Sequence, residues 1–174
     1  MGTKAIYNVN SINIDDLNSS SATMKYPVGA KVCFKDEDKA APDEYIYVKA
    51  HENLSLGQPV NVIEGSGGNA EIVTDEFVEI AVGAGELIGY PTTDVTSGHY
   101  FWAQISGVIT AAAGTVAAGD YVRVIEGGST VVVDGETGAT TRGATSCGLA
   151  KTATSGGLAT IVVMPGLRSH IAAE

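Results

Sequence analysis

The chain has 174 residues and a net charge of −10, with 10 Lys and Arg thinly spread. Nucleic-acid binding rests on basic side chains that neutralise phosphates, so this balance speaks against a nucleic acid or an anionic membrane as partner. Only 17% of residues are charged, and 22 are Gly, a composition suited to many short strands joined by tight turns.

Met1 is followed by Gly-Thr-Lys-Ala rather than an apolar run, so no signal peptide is expected. No stretch reaches the ~18 apolar residues of a membrane helix. Residues 1–25 read as an extended N-terminal arm and linker. Ile6 to Ile14 alternates apolar and polar residues, and Asn18-Ser-Ser-Ser-Ala22 is polar. Either the segment is an arm that packs on a neighbour through Ile6, Val9, Ile12, Ile14 and Leu17, or it is the first strand of the same domain.

A β domain is expected over residues 26–166, opening at the turn Tyr26-Pro-Val-Gly29. Strands are predicted at Lys31–Phe34 and Glu44–Lys49, on either side of the charged loop Lys35–Asp43. Asp36 and Asp38 lack the further ligands of a calcium loop, since position 40 is Ala.

An internal repeat follows. Leu56-Gly-Gln-Pro-Val-Asn-Val-Ile-Glu-Gly65 returns as Ala118-Gly-Asp-Tyr-Val-Arg-Val-Ile-Glu-Gly127, identical at six of ten positions. Gly89, Gly98 and Gly107 align with Gly148, Gly157 and Gly166 at an offset of 59. Residues 54–107 and 116–166 therefore read as two copies of one β unit. Two copies are too few for a solenoid. The fold class expected is all-β, a sandwich or barrel-like domain with internal pseudo-duplication. Further strands are predicted at Val60–Ile63, Glu71–Val73, Glu76–Val82, His99–Ile105, Tyr121–Ile125, Thr130–Val133 and Leu158–Met164. Residues 167–174 form a C-terminal tail, whose Leu167–Glu174 is the best helix candidate.

Chemistry is not evident. Gly83-Ala-Gly85 with Gly89 is one residue too long for a dinucleotide fingerprint and lacks the following helix. His51, His99 and His170 are far apart, and Cys33 and Cys147 match no zinc or redox spacing. Ser97 near His99 is not read as a catalytic pair, because no nucleophile elbow is present. No catalysis, cofactor, metal or disulfide is expected. In the aromatic strand, alternation places Tyr100 and Trp102 on one face and Phe101 on the other. One face is expected to be core and the other a subunit interface; a sugar-stacking platform is the rival reading.

Ala118-Gly-Asp-Tyr-Val122, Gly148-Leu-Ala150 and Thr160-Ile-Val-Val-Met-Pro-Gly166, with Gly107-Val-Ile109 and the Ala-rich Ala111–Gly114 between them, resemble the capsid decoration, or cement, proteins of tailed bacteriophages. The resemblance covers residues 26–166 and leaves the first 25 unmatched. It implies a small β domain, usually trimeric, on the outside of a virion at three-fold or quasi-three-fold points of the head lattice. The implied partners are further copies of the chain and the major capsid protein. The alternative is a carbohydrate- or receptor-binding β module of a virion fibre, with Tyr100 and Trp102 as its platform.

Overall fold

The computed structural model describes residues 4–5, 12–35, 42–64, 72–75, 87–124, 129–134 and 147–163. The strands are β1 (Lys4–Ala5), β2 (Ser20–Ser21), β3 (Lys31–Lys35), β4 (Asp43–Ala50), β5 (Val60–Glu64), β6 (Ile72–Asp75), β7 (Leu87–Pro91), β8 (Tyr100–Ala112), β9 (Tyr121–Val124), β10 (Val131–Val133), β11 (Gly148–Ala150) and β12 (Leu158–Val163). A short 3-10 turn, Ile14–Asn18, precedes β2. Apart from that turn the described residues are all-β, in keeping with the Val- and Gly-rich composition.

One continuous sheet closes on itself twice. In the first ring β4 pairs with β8, β8 with β7, β7 with β5, β5 with β6, and β6 returns to β4 in parallel. In the second, β8 pairs with β12, β12 with β11, β11 with β9 and β9 with β10. A parallel bridge between Ala113 and Val131 closes it. Two five-stranded barrels thus share the 13-residue strand β8. Rings this small are filled by their own side chains. Val48, Val60, Val62, Phe101 and Ala103 fill the first, and Ile109, Ala111, Val122, Val131 and Ile161 fill the second.

The barrels match in register and at their turns. Val60 lies opposite Gly89 and Val122 opposite Gly148. Gly57 N–H donates to Pro91 O as Gly119 N–H donates to Ala150 O, each at 2.8 Å. The Gln58 side chain accepts from Ser55 N–H, and Asp120 accepts from Ala117 N–H in the same way. The repeat also reaches further upstream than residue 54. Val48 opposite Phe101 is matched by Ala111 opposite Ala159. The last strand of the first unit and the first strand of the second are therefore the two halves of β8.

The halves meet at Gly107, whose φ of +96° a residue with a Cβ rarely adopts. Ile105 is left without a partner as Glu44 pairs Ser106 and Tyr45 pairs Gln104. The buried Asp43 carboxylate accepts Val108 N–H at 3.1 Å, which pins the bend. Tyr90, facing outward from β7, packs into the second barrel's hydrophobic cluster.

Of the two readings of the N-terminal segment, residues 12–25 agree with the one in which it packs on its own domain. Leu17 is 5% exposed and packs with Val32, Phe34, Tyr47 and Trp102. Within the supposed polar linker, Ser20 and Ser21 pair with Phe101 and Tyr100 of β8. The expected strands at Glu76–Val82, the helix candidate Leu167–Glu174 and the loop aspartates Asp36 and Asp38 lie outside the described residues.

Candidate interaction surface

The aromatic residues of β4 and β8 form one layer outside the first barrel. Tyr47 and Trp102 have centroids 5.1 Å apart, and Tyr47 stacks on Tyr100 at 6.1 Å. Tyr26 meets Tyr47 edge-on at 5.3 Å and tilts against Trp102 at 5.4 Å. Lys49 Nζ lies 5.7 Å from the Tyr100 ring centre, within cation–π range.

A strap, residues 12–25, covers this layer. Its turn is capped by Asn13, whose side chain accepts Asp15 N–H. Asp16 then grips two groups: its carboxylate accepts from Lys25 Nζ at 2.7 Å and from Tyr26 Oη at 2.6 Å. Lys25 N–H donates to Tyr47 Oη at 3.1 Å, and Thr92 Oγ1 donates to Leu17 O at 2.5 Å.

Alternation along β8 holds, with Phe101 inside the barrel and Tyr100 and Trp102 outside. The expected exposed interface does not, because the strap buries Trp102 to 1% exposure and leaves Tyr100 half-buried. A sugar-stacking platform at Trp102 is closed in the same way. Of the arm residues, Leu17 is core, Ile12 is half-buried against the aromatic layer, and Ile14 is 43% exposed. Ile6 and Val9 lie outside the described residues. Sequence reasoning missed the Asp16, Lys25 and Tyr26 clamp, because a carboxylate nine residues before a Lys carries no periodic signal.

The clamp sets a pH dependence. The hydrogen bond from Lys25, then that from Tyr26, holds the Asp16 carboxyl below its ordinary value of 3.8. A lowered carboxyl stabilises the native form above its unfolded pKa and loses that stabilisation as pH falls through the folded value. The strap should therefore loosen only below about pH 4, near the unperturbed carboxylate range. Trp102 is the sole tryptophan, so its emission, blue at neutral pH, should shift red there. Asp16→Asn, which imitates the protonated carboxyl, should abolish that pH step by shifting the emission partway red already at neutral pH, at a cost of about 1 kcal/mol, as is usual for an ion pair with one exposed partner. An unchanged step in Asp16→Asn would assign it to another carboxylate.

Other polar side chains serve the backbone. Asp94 accepts Leu56 N–H, Asn53 accepts Ser97 N–H, and Ser97 Oγ donates to His51 O. A shallow depression of about 440 Å³ lies among Asn53, Leu54, Ser55, Asp94, Val95 and Thr96, so its Asp94 and Asn53 are already engaged in turns. Burial pushes the Cys147 thiol up to about 11, and burial with the Glu44 and Asp43 charges raises Cys33. A protonated thiol is a poor nucleophile and metal ligand. Among the described residues no cluster of His, Cys, Asp and Glu could hold a metal ion, and no helix is long and apolar enough to cross a membrane.

No family model matches the chain. No curated protein matches it either. Among solved structures, the chain is similar to the N base of the head fibre gp8.5 of bacteriophage phi29, with 19% identity and a TM-score of 0.47, over 69% of this chain and 92% of that one.

Proposed function

We propose that the chain is a non-enzymatic structural protein of a virion, which associates with its own copies, binds the major capsid protein on the outside of a phage head, and braces the lattice. The observation that supports this reading best is the use of its polar groups. Asp43, Asp94, Asp120, Gln58, Gln104 and Thr154 all bond to backbone groups of turns and strand ends. Such a molecule is organised for a rigid shape rather than for proton transfer or nucleophilic attack. The residues that carry the resemblance to decoration proteins have structural roles of this kind. Gly119 adopts φ +93°, Asp120 caps its turn, and Val122 pairs with Gly148.

A bracing protein gains from several modest contacts made at once, since linked sites add about 10²–10⁴ in avidity. The test is a heat challenge of expanded heads from the protein's own source, with and without the purified chain. Decorated heads should retain DNA at temperatures where bare heads release it. The alternative, a sugar-binding fibre module, requires Trp102 to be uncovered. Sugar-dependent Trp102 emission without head protection would favour it.

A further inference from the structure

The first barrel packs on the second through one face, and in the second barrel the equivalent face is only partly buried among the described residues. In the first barrel that face is carried by Gln104 and Tyr90; Tyr45 is next in the same cross-strand row but packs against Phe34. Tyr90 is 1% exposed and lies in the second barrel's cluster. Gln104 is 5% exposed, and its Nε2 donates to Ser106 O and Val108 O at the start of the second unit. Beside the row, Gly57 O accepts Ala112 N–H at 2.8 Å, and a Cβ on Gly57 would lie 2.6 Å from Thr110 O.

Register assigns the equivalents. Leu149 stands where Tyr90 does, next to Gly148 as Tyr90 is next to Gly89. Leu149 pairs with Val162, and Val162 with Val108, as Tyr90 pairs with Gln104 and Gln104 with Tyr45. Tyr121 extends the row on β9 opposite Leu149. All four side chains are half-exposed. Gly119 is exposed with nothing within 4 Å of a Cβ position, whereas its equivalent Gly57 is buried.

We propose that the row Val108, Val162, Leu149 and Tyr121 is the surface through which the chain binds a second copy of itself. This deepens the self-association in the proposed function and rests on it. Three observations favour a second copy as the occupant. The equivalent face already packs barrel on barrel within the chain, so its shape suits this kind of surface. The row is continuous with that intrachain interface, since Val108 accepts from Gln104 across the junction. The row itself carries no charge, so two chains of net charge −10 can approach here with less repulsion than elsewhere.

The experiment is light scattering on the full chain, its Leu149→Lys variant and its Val162→Thr variant, with Trp102 emission as the folding control. The wild type should weigh a multiple of 17.8 kDa. Leu149→Lys should raise the dissociation constant at least tenfold with Trp102 emission unchanged. Val162→Thr, close in shape, should weaken association several-fold, and it decides the matter if Leu149→Lys does not fold. Folded variants that associate like the wild type would overturn the assignment while leaving the self-association of the proposed function intact. Variants that stay oligomeric but lose head binding would instead assign the row to the capsid protein, and so overturn it too. A wild type that stays at 17.8 kDa at high concentration would refute the self-association itself.

Discussion

Trp102→Ala should destabilise the protein by about 3–5 kcal/mol, the usual cost of truncating a buried aromatic to Ala. Native domains are stable by only about 5–15 kcal/mol, so the urea midpoint should fall by about a fifth or more. The effect is large because the indole touches both Tyr26 and Tyr47 and lies beneath the strap at 1% exposure. Trp102→Phe should cost far less. It keeps an aromatic ring, and the indole Nε1 has no acceptor among the described residues, so no hydrogen bond is lost. The comparison also tests the strap. In a chain lacking residues 2–22 the indole loses Leu17 from above, and Trp102→Ala should then cost clearly less than in the full chain. Equal costs in the two backgrounds would mean that the strap contributes nothing to the burial of Trp102.

Gly107→Val should be about as damaging, at about 2–6 kcal/mol. Backbone strain in such a region costs roughly 1–3 kcal/mol, and overpacking adds about 1–3 kcal/mol. Gly107 has φ +96°, and an added Cβ would fall on the Asp43 carboxylate. Displacing Asp43 also removes the acceptor of Val108 N–H. Gly107→Ala combined with Asp43→Ala relieves the collision but not the φ. That pair should therefore couple favourably, with the double variant less damaged than the sum of the singles. Strict additivity in denaturant melts would contradict the account of the bend.

Much of the fold was legible in the primary structure, and the exceptions have physical causes. The strands at Lys31, Glu44, Val60, Tyr121, Val131 and Leu158 announce themselves by alternation and β-branched residues. β7 does not, because Gly89 and Pro91 are poor strand formers by propensity. The barrel overrides this. Gly89 sits where a Cβ would be 2.9 Å from that of Ala103, and only Gly fits between the facing strands. Gly107 reads as the end of a strand, yet β8 runs through it because Asp43 reaches across to pin Val108. Ile14 looks like the last tooth of an extended arm, but Asn13 captures Asp15 N–H and starts a 3-10 turn. The repeat itself was visible, since Gly57 and Gly119 meet the same demand for positive φ. Closure into two barrels was not, because it depends on register between distant segments such as Val48 and Phe101.

The same limits explain the surface. Tyr100 and Trp102 were conspicuous as an aromatic strand, but what covers them is a strap whose Ser-rich sequence resembles a linker. The row Val108, Val162, Leu149 and Tyr121 was inconspicuous, because in Leu158–Val163 apolar residues occupy both faces and alternation loses contrast. Only its pairing with β11 and β8 makes it a contiguous face.

The central claim, a structural role on the outside of a phage head, is tested most directly by co-sedimentation of the purified chain with expanded heads of its own source that lack it. Saturable binding at a fixed number of copies per capsid protein is expected, with occupancy weakened in Leu149→Lys through loss of avidity. Free chain left wholly in the supernatant at all concentrations, while Trp102 emission shows it folded, would contradict the account.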